Sequence, residues 1–145
     1  MLKEEFEKEA AIESVPKPDV PDTAPEQLLL LLKLLRDRIN VEAAFGNDEK
    51  GRNLKILAYC LQFATDQQRE QLIRKEYKTS LDRLDSFAEL VASSIEYAES
   101  TSYQLKPAKS ATLNLNLLKR IFDVVRRVRD DQALRASTAG VSTSS

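Results

Sequence analysis

The longest stretch without proline runs from Glu26 to Lys106, and it constrains the fold more than any other feature of the sequence. Proline removes an amide donor and clashes with the preceding helical turn, so long helices require its absence. Leucine, alanine, glutamate, glutamine, lysine and arginine dominate this stretch, and β-branched residues are sparse in it. Because these are residues of high helix propensity, the stretch predicts an all-α chain.

A run of leucines lies near the start of this stretch: LLLLLKLL, residues 28–35, contains seven of them. A membrane-spanning helix needs about 20 apolar residues. Here Lys33 interrupts the run, and Arg36, Asp37 and Arg38 follow it directly. The run is therefore too short for a membrane span, and it predicts a helix that is buried on more than one side within a bundle.

Capping signals and apolar periodicity divide the chain into four to five helices. The first should extend from Thr23 to about Phe45, with Thr23 and Glu26 as a capping box and Gly46 as the stop. Asn47 or Asp48 should cap the second helix. The remaining helices are predicted at residues 48–64, 66–78, 80–99 and 112–135, where the third begins with the capping-box sequence TDQQ.

Connections of a few residues favour antiparallel neighbours. The expected fold is thus an all-α, antiparallel bundle of four to five helices with a flexible N-terminal arm and a C-terminal tail. Thr79-Ser80 leaves open whether the third and fourth helices are separate or form one bent helix.

Three segments differ in composition and predict the domain organisation. Residues 1–22 are acidic and rich in proline, and we expect them to form a flexible arm. Residues 23–135 form the bundle, and residues 136–145 are predicted to be a disordered tail. Residues 1–26 carry a net charge of −5 and residues 106–135 a net charge of +5. We therefore expect the arm to dock weakly on the last helix.

Several kinds of chemistry are excluded by residue type. The chain has no histidine and one cysteine, Cys60. Zinc sites of cysteine and histidine, Ser-His-Asp triads and an internal disulfide are therefore excluded. Gly46 and Gly51 flank NDEK without the spacing of a phosphate-binding loop, and Gly51 is expected to permit close packing. We expect no catalytic residue, no cofactor and no metal.

The opening segment MLKEEFEKEAAIE is acidic and lacks the apolar core of a signal peptide. Together with the single cysteine, this favours a soluble protein of an intracellular, reducing compartment. That compartment is the cytoplasm, or an organelle matrix or stroma if a transit peptide has been removed.

Basic side chains lie on the non-core side of the last predicted helix: Lys119, Arg120, Arg126, Arg127 and Arg129. Three interpretations apply to this basic edge, in decreasing order of preference. The first is a solvated face, the second an acidic protein partner, and the third nucleic acid, whose phosphates basic residues neutralise. The pI of 5.6 and the lack of interleaved aromatic residues weaken the third.

A second candidate surface lies on the helix predicted at 80–99. Phe87, Leu90 and Tyr97 fall beside its main apolar stripe and would form an aromatic-aliphatic strip suited to helix-mediated association. The alternative, which we slightly favour, is that a fifth helix, or the loop with Tyr103 and Leu105, covers the strip within the chain. The same helix carries an acidic edge of Asp82, Asp85 and Glu89. Acidic side chains near the start of a helix interact favourably with its dipole, so this edge does not require a catalytic site.

These features favour a non-enzymatic helical protein-protein interaction module: an adaptor, an assembly factor or a subunit of a larger complex. Its expected partners are proteins, acidic or helical, and homo-oligomerisation stays open. The alternative is a nucleic-acid-associated protein that uses the basic edge. A small enzyme that uses the acidic edge ranks third, since it would need a concave pocket there.

Overall fold

The structure is a computed structural model that describes residues 19–62, 65–100 and 115–144, with the side chains of the last helix described as far as Thr138. Over these ranges the chain is helical and contains no strand, which confirms the predicted all-α fold. The helices are α1 Ala24–Arg36, α2 Val41–Ala44, α3 Glu49–Gln62, α4 Asp66–Tyr77, α5 Leu81–Ser100 and α6 Leu115–Ser144.

The starts of α3 and α4 follow the predicted caps. Asp48 Oδ1 accepts a hydrogen bond from the backbone N–H of Gly51 at 2.9 Å. At α4, Thr65 Oγ1 accepts from the N–H of Gln68, and Gln68 Oε1 accepts from the N–H of Thr65, both at 3.2 Å. Each bond satisfies an amide that has no partner within its helix. Thr23, in contrast, caps α1 without a side-chain bond, so the capping box predicted there was wrong.

The first predicted helix is interrupted, because α1 ends at Arg36 rather than at Phe45. Arg38 has a φ of 58°, and two backbone bonds close the helix end. The N–H of Ile39 donates to the carbonyl of Leu34 at 2.9 Å, and the N–H of Arg38 donates to that of Leu35 at 3.1 Å. This is the Schellman pattern of a helix terminus. The short helix α2 then begins afresh, with Asn40 Oδ1 accepting from the N–H of Glu42 at 3.0 Å.

The question of one bent helix or two is answered at residues 78–80. Lys78 has a φ of 50°, and α4 and α5 are separate helices.

The last helix differs from its prediction at its C-terminal end. It continues to Ser144, although a disordered tail was expected from residue 136. The segments 1–18 and 101–114 lie outside the described residues, as does most of the arm that was expected to dock on the last helix.

Ion pairs show how α4, α5 and α6 are arranged. Asp66 contacts Arg120 at 3.1 Å, and Arg74 contacts Asp131 at 2.8 Å, so residue numbers rise together and α4 runs parallel to α6. The three-residue turn from α4 to α5 reverses the chain. Helix α5 therefore lies antiparallel to both of its neighbours, as expected for an up-down-up arrangement.

Most of the leucine run belongs to the core, as predicted, although Leu29 is 43% exposed. Leu28 and Leu31 are fully buried, and Leu32, Leu34 and Leu35 are at most 7% exposed. Burying each such side chain contributes about 1.5–3 kcal/mol relative to leaving it in water. Helix α1 packs against α3 and α5, while α5 also packs against α4 and α6. The core continues through fully buried residues of the other helices: Leu54, Leu57, Leu84, Val91, Leu118 and Ile121.

Candidate functional site

The basic edge of α6 is largely engaged with acidic side chains of the same chain. Arg120 contacts Asp66 at 3.1 Å, and Arg127 contacts Glu70 at 3.5 Å, so both reach α4. Arg129 contacts Asp85 of α5 at 2.6 Å. These residues join helices in a defined register, and their positive charges are balanced within the bundle.

Lys119 and Arg126 are the exposed remainder of the predicted basic edge. The guanidinium of Arg126 lies over the ring of Phe122, 5.8 Å from its centroid. This cation–π contact lies within α6, one turn apart, and covers part of a half-buried aromatic ring. The five predicted residues thus divide into three that pair with other helices and two that face outward.

The strip predicted on α5 is for the most part core. Phe87 is fully buried, and its ring centroid lies 5.5 Å from that of Tyr77. Leu90 is 6% exposed, and Tyr97 is half-buried against the core. Other helices of the chain therefore cover Phe87 and Leu90, in keeping with the intramolecular alternative. The segment with Tyr103 and Leu105, named as one cover, lies outside the described residues.

The acidic edge of α5 does not converge on one site. Asp85 pairs with Arg129, Asp82 is exposed, and Glu89 lines a separate cavity described below. In the described parts of the chain, no group of three or more acidic or cysteine side chains could hold a metal ion. Cys60 is fully buried, and this burial raises the pKa of its thiol to about 12. A thiol so protonated is a poor nucleophile.

An exposed tyrosine stands between two depressions on the surface formed by α2, α3 and α4. Tyr59 is 45% exposed. One depression, of about 380 Å³, has aliphatic walls from Ile39, Val41 and Ala58. The other, of about 310 Å³, has aliphatic walls from Ile56 and Leu72. We call Tyr59 and these five aliphatic residues the Tyr59 surface.

Charged residues of both signs border the Tyr59 surface. Glu42 and Lys55 line both depressions, while Arg52 and Glu76 line the second. The ammonium of Lys55 is held by the side-chain oxygen of Asn47 at 2.9 Å. Because the charges balance, the surface has no strong electrostatic field. Its accessible apolar area comes mainly from Tyr59, Ile39 and Leu72, since Val41, Ile56 and Ala58 are at most 8% exposed.

A polar cavity of about 300 Å³, broadly open to solvent, lies between the starts of α1 and α3 and the middle of α5. Two buried carboxamides, Gln27 at 7% exposure and Asn53 at 5%, form part of its wall. Ser86 and Ser93 of α5 add hydroxyl groups, and Glu89 adds a carboxylate. At its rim, Lys50 contacts Asp22 at 3.1 Å.

No family model, curated protein or solved structure matches this chain. Among the described helices, none combines the length and the apolar character that a membrane span requires.

Sequence reasoning missed both the Tyr59 surface and the polar cavity. A signal for Tyr59 was present, since Arg52, Lys55, Tyr59 and Gln62 recur at helical spacing, which places an aromatic residue on the polar arc of α3. The cavity gave no such signal. Its walls come from three helices that are distant in sequence, and only packing brings them together.

Proposed function

We propose that this chain is a non-enzymatic helical interaction module that binds a protein partner, as an adaptor, an assembly factor or a subunit of a larger complex. The Tyr59 surface carries the proposal. A tyrosine that is 45% exposed between two depressions with aliphatic walls has the chemistry of an interface centre. Tyrosine is enriched among the residues that dominate binding free energy, because it offers a large amphipathic contact area.

The partner that fits this surface presents aliphatic or aromatic side chains to both sides of Tyr59. Hydrophobic contact with the depressions would provide affinity, and the mixed charges of Glu42, Lys55, Arg52 and Glu76 would fix orientation. In this proposal, the principal contact lies on α3, away from the basic edge of α6.

The proposal is tested by affinity purification from the native source with three forms of the chain: the unsubstituted protein, Tyr59→Ala and Leu134→Ala. Leu134 is 67% exposed on α6 and provides a matched control, since it is also a large exposed apolar side chain. We expect a partner that is retained by Leu134→Ala and lost by Tyr59→Ala. With the purified partner, Tyr59→Ala should weaken binding by about thirtyfold, as expected for a residue at an interface centre.

Identical partners for the two variants would contradict a role for the Tyr59 surface. Sedimentation of the pure protein covers the case in which the partner is a second copy, since self-association should then disappear in Tyr59→Ala.

The competing function is association with nucleic acid through Lys119 and Arg126, which lie exposed on α6. It predicts binding that weakens steeply with salt, because neutralised phosphates release counterions. Substituting both residues by glutamine should then reduce the binding and its salt dependence. Absence of binding to RNA and DNA at low salt would remove this alternative.

A further inference from the structure

We propose that the polar cavity binds a small organic cation, an ammonium or guanidinium group with several N–H donors and a neighbouring oxygen acceptor. This site is separate from the Tyr59 surface and does not depend on the function proposed above. Its walls are the first turns of α1 and α3 and the central turns of α5.

The two buried carboxamides provide the first argument. Gln27 Nε2 donates to the carbonyl of Pro21 at 2.9 Å, and the hydroxyl of Tyr77 donates to Asn53 Oδ1. These bonds use one polar atom of each carboxamide and leave Gln27 Oε1 and Asn53 Nδ2. Among the described residues, the fully buried side-chain nitrogens and oxygens without a partner are Arg52 Nε and Arg83 Nε. The remaining carboxamide atoms are therefore accessible, and the accessible space beside both residues is the cavity.

Gln27 and Asn53 are each more than nine-tenths buried, and their hydrogen bonds to Pro21 and Tyr77 hold both side chains in place. Because Gln27 Oε1 and Asn53 Nδ2 are accessible, water satisfies them in the absence of a ligand, and a ligand must replace that water with hydrogen bonds of its own. The cavity thus presents two fixed polar atoms that a ligand or water must satisfy.

The charge of the lining favours a cation. Asp22, Glu49 and Glu89 contribute three exposed carboxylates, and Lys50 pairs with Asp22. The formal charge of −2 therefore comes from Glu49 and Glu89. The starts of α1 and α3 also lie at the cavity, and each helix start carries about half a positive charge. Their sum of about +1 reduces the negative charge without reversing it. An anion at the helix starts would meet the carboxylates, whereas a cation is attracted by them.

The hydrogen-bonding groups further define the ligand. Gln27 Oε1 and the carboxylates of Glu49 and Glu89 only accept hydrogen bonds, while Ser86 and Ser93 can do either. Ammonium and guanidinium groups only donate, so they complement the acceptors. Asn53 Nδ2 donates a hydrogen bond. The ligand should therefore also carry an oxygen acceptor next to its ammonium or guanidinium group. A volume of about 300 Å³ is at the small end of ligand cavities and accommodates roughly ten non-hydrogen atoms.

Two sources could present this chemistry: a free small molecule, or an arginine side chain of a peptide. Calorimetric titration of the full chain with agmatine, spermidine and Nα-acetylargininamide distinguishes them, because only the last carries peptide carbonyls. Tetramethylammonium provides charge without N–H donors, glycerol provides hydroxyls without charge, and inorganic phosphate tests the helix starts as an anion site.

We expect saturable binding of at least one of the three N–H cations, with none for tetramethylammonium, glycerol or phosphate. Glu89→Gln should weaken that binding about tenfold, the effect of a charge-assisted hydrogen bond to a carboxylate. Glu96→Gln is the matched control. Glu96 lies on the same helix, is also exposed and does not line the cavity.

Ser93→Leu is a second variant that does not alter charge. Its larger side chain should fill the cavity and abolish binding while circular dichroism shows the same helix content. The proposal is overturned if no N–H cation binds at millimolar concentration, or if tetramethylammonium binds equally well. Equal effects of Glu89→Gln and Glu96→Gln would also overturn it, as would tighter binding of phosphate than of the cations.

Discussion

Gly51 is the residue at which the backbone leaves least room for a side chain. A methyl group there would lie 2.1 Å from the carbonyl oxygen of Gly46 and 2.9 Å from Asp48 Oδ1. A backbone carbonyl cannot move aside as a flexible side chain can. The first turn of α3 therefore depends on glycine for its close approach to the chain that precedes it.

We predict that Gly51→Ala lowers the free energy of unfolding by about 1–3 kcal/mol, the usual cost of forcing extra volume into a packed site. The cost of the close contact should exceed the stabilisation of about 1 kcal/mol that alanine provides over glycine within a helix. Urea unfolding measures the difference. Gly46→Ala is the control, because its methyl group would meet only Asp48 Oδ1 at 3.8 Å and Gly46 has no positive φ. Equal losses in the two variants would refute the packing explanation.

Arg69 shows how one side chain connects two elements. It is 4% exposed, its Nη1 lies 2.5 Å from Asp66 Oδ1, and its Nε donates to the carbonyl of Cys60 at 3.5 Å. Cys60 lies in the last turn of α3, where helix carbonyls lack intrahelical partners and a cation is favourable. The guanidinium thus joins the end of α3 to the start of α4.

At the scale of the elements, α4 and α6 are joined by a ladder of ion pairs: Asp66–Arg120, Glu70–Arg127 and Arg74–Asp131. The hydrogen bond from Arg120 holds the pKa of Asp66 below its usual value, and that from Arg74 does the same for Asp131. A carboxyl whose pKa is lowered in the folded state stabilises it above the unfolded pKa of about 4. That contribution is lost as the pH falls through the lower, folded pKa.

Asp131→Asn should therefore destabilise the chain at neutral pH, and the difference from the unsubstituted protein should shrink as the pH falls below about 4. Urea unfolding across this range measures the difference, and added salt should also reduce it because these groups are near the surface. Asp123→Asn is the control, since Asp123 lies on the same helix and the described residues give it no ion pair. A difference for Asp131→Asn that persists in acid would argue against the ion pair as its cause.

The sequence predicted the starts of α3 and α4 well because they carry local capping signals. The capping box of Thr65 and Gln68 is contained within four residues, and its bonds form as expected. The end of α1 could not be predicted in this way. Arg38 adopts the left-handed conformation that usually favours glycine, so no residue type marked the stop.

The partners of the basic edge were beyond sequence reasoning for a different reason. Periodicity placed Arg120 and Arg129 correctly on the outer side of the last helix. Their acidic partners are 54 and 44 residues away in the chain. Which residues face each other depends on the register between packed helices, and periodicity within one helix does not specify it. The same limit applies to the polar cavity.

At the scale of the whole molecule, α6 extends beyond the part of the bundle that it helps to bury. Val128 is fully buried, whereas residues 134–138 are exposed. The predicted domain boundary at residue 135 therefore lies where core contacts have already ended, although the helix itself continues.

Truncation after Arg135 should change the free energy of unfolding by less than about 0.5 kcal/mol, since the removed segment begins with exposed side chains. Val128→Ala should cost about 2 kcal/mol, because it leaves a cavity in the core. Denaturant unfolding of both variants makes the comparison. If truncation costs as much as Val128→Ala, the last ten residues belong to the stable bundle.

Cys60 is fully buried in α3, and it is the only cysteine of the chain. Alkylating reagents react with thiolates that they can reach, so modification requires α3 to open first. The rate of alkylation therefore reports how often this helix leaves its neighbours, and it does so in the natural protein without any introduced label.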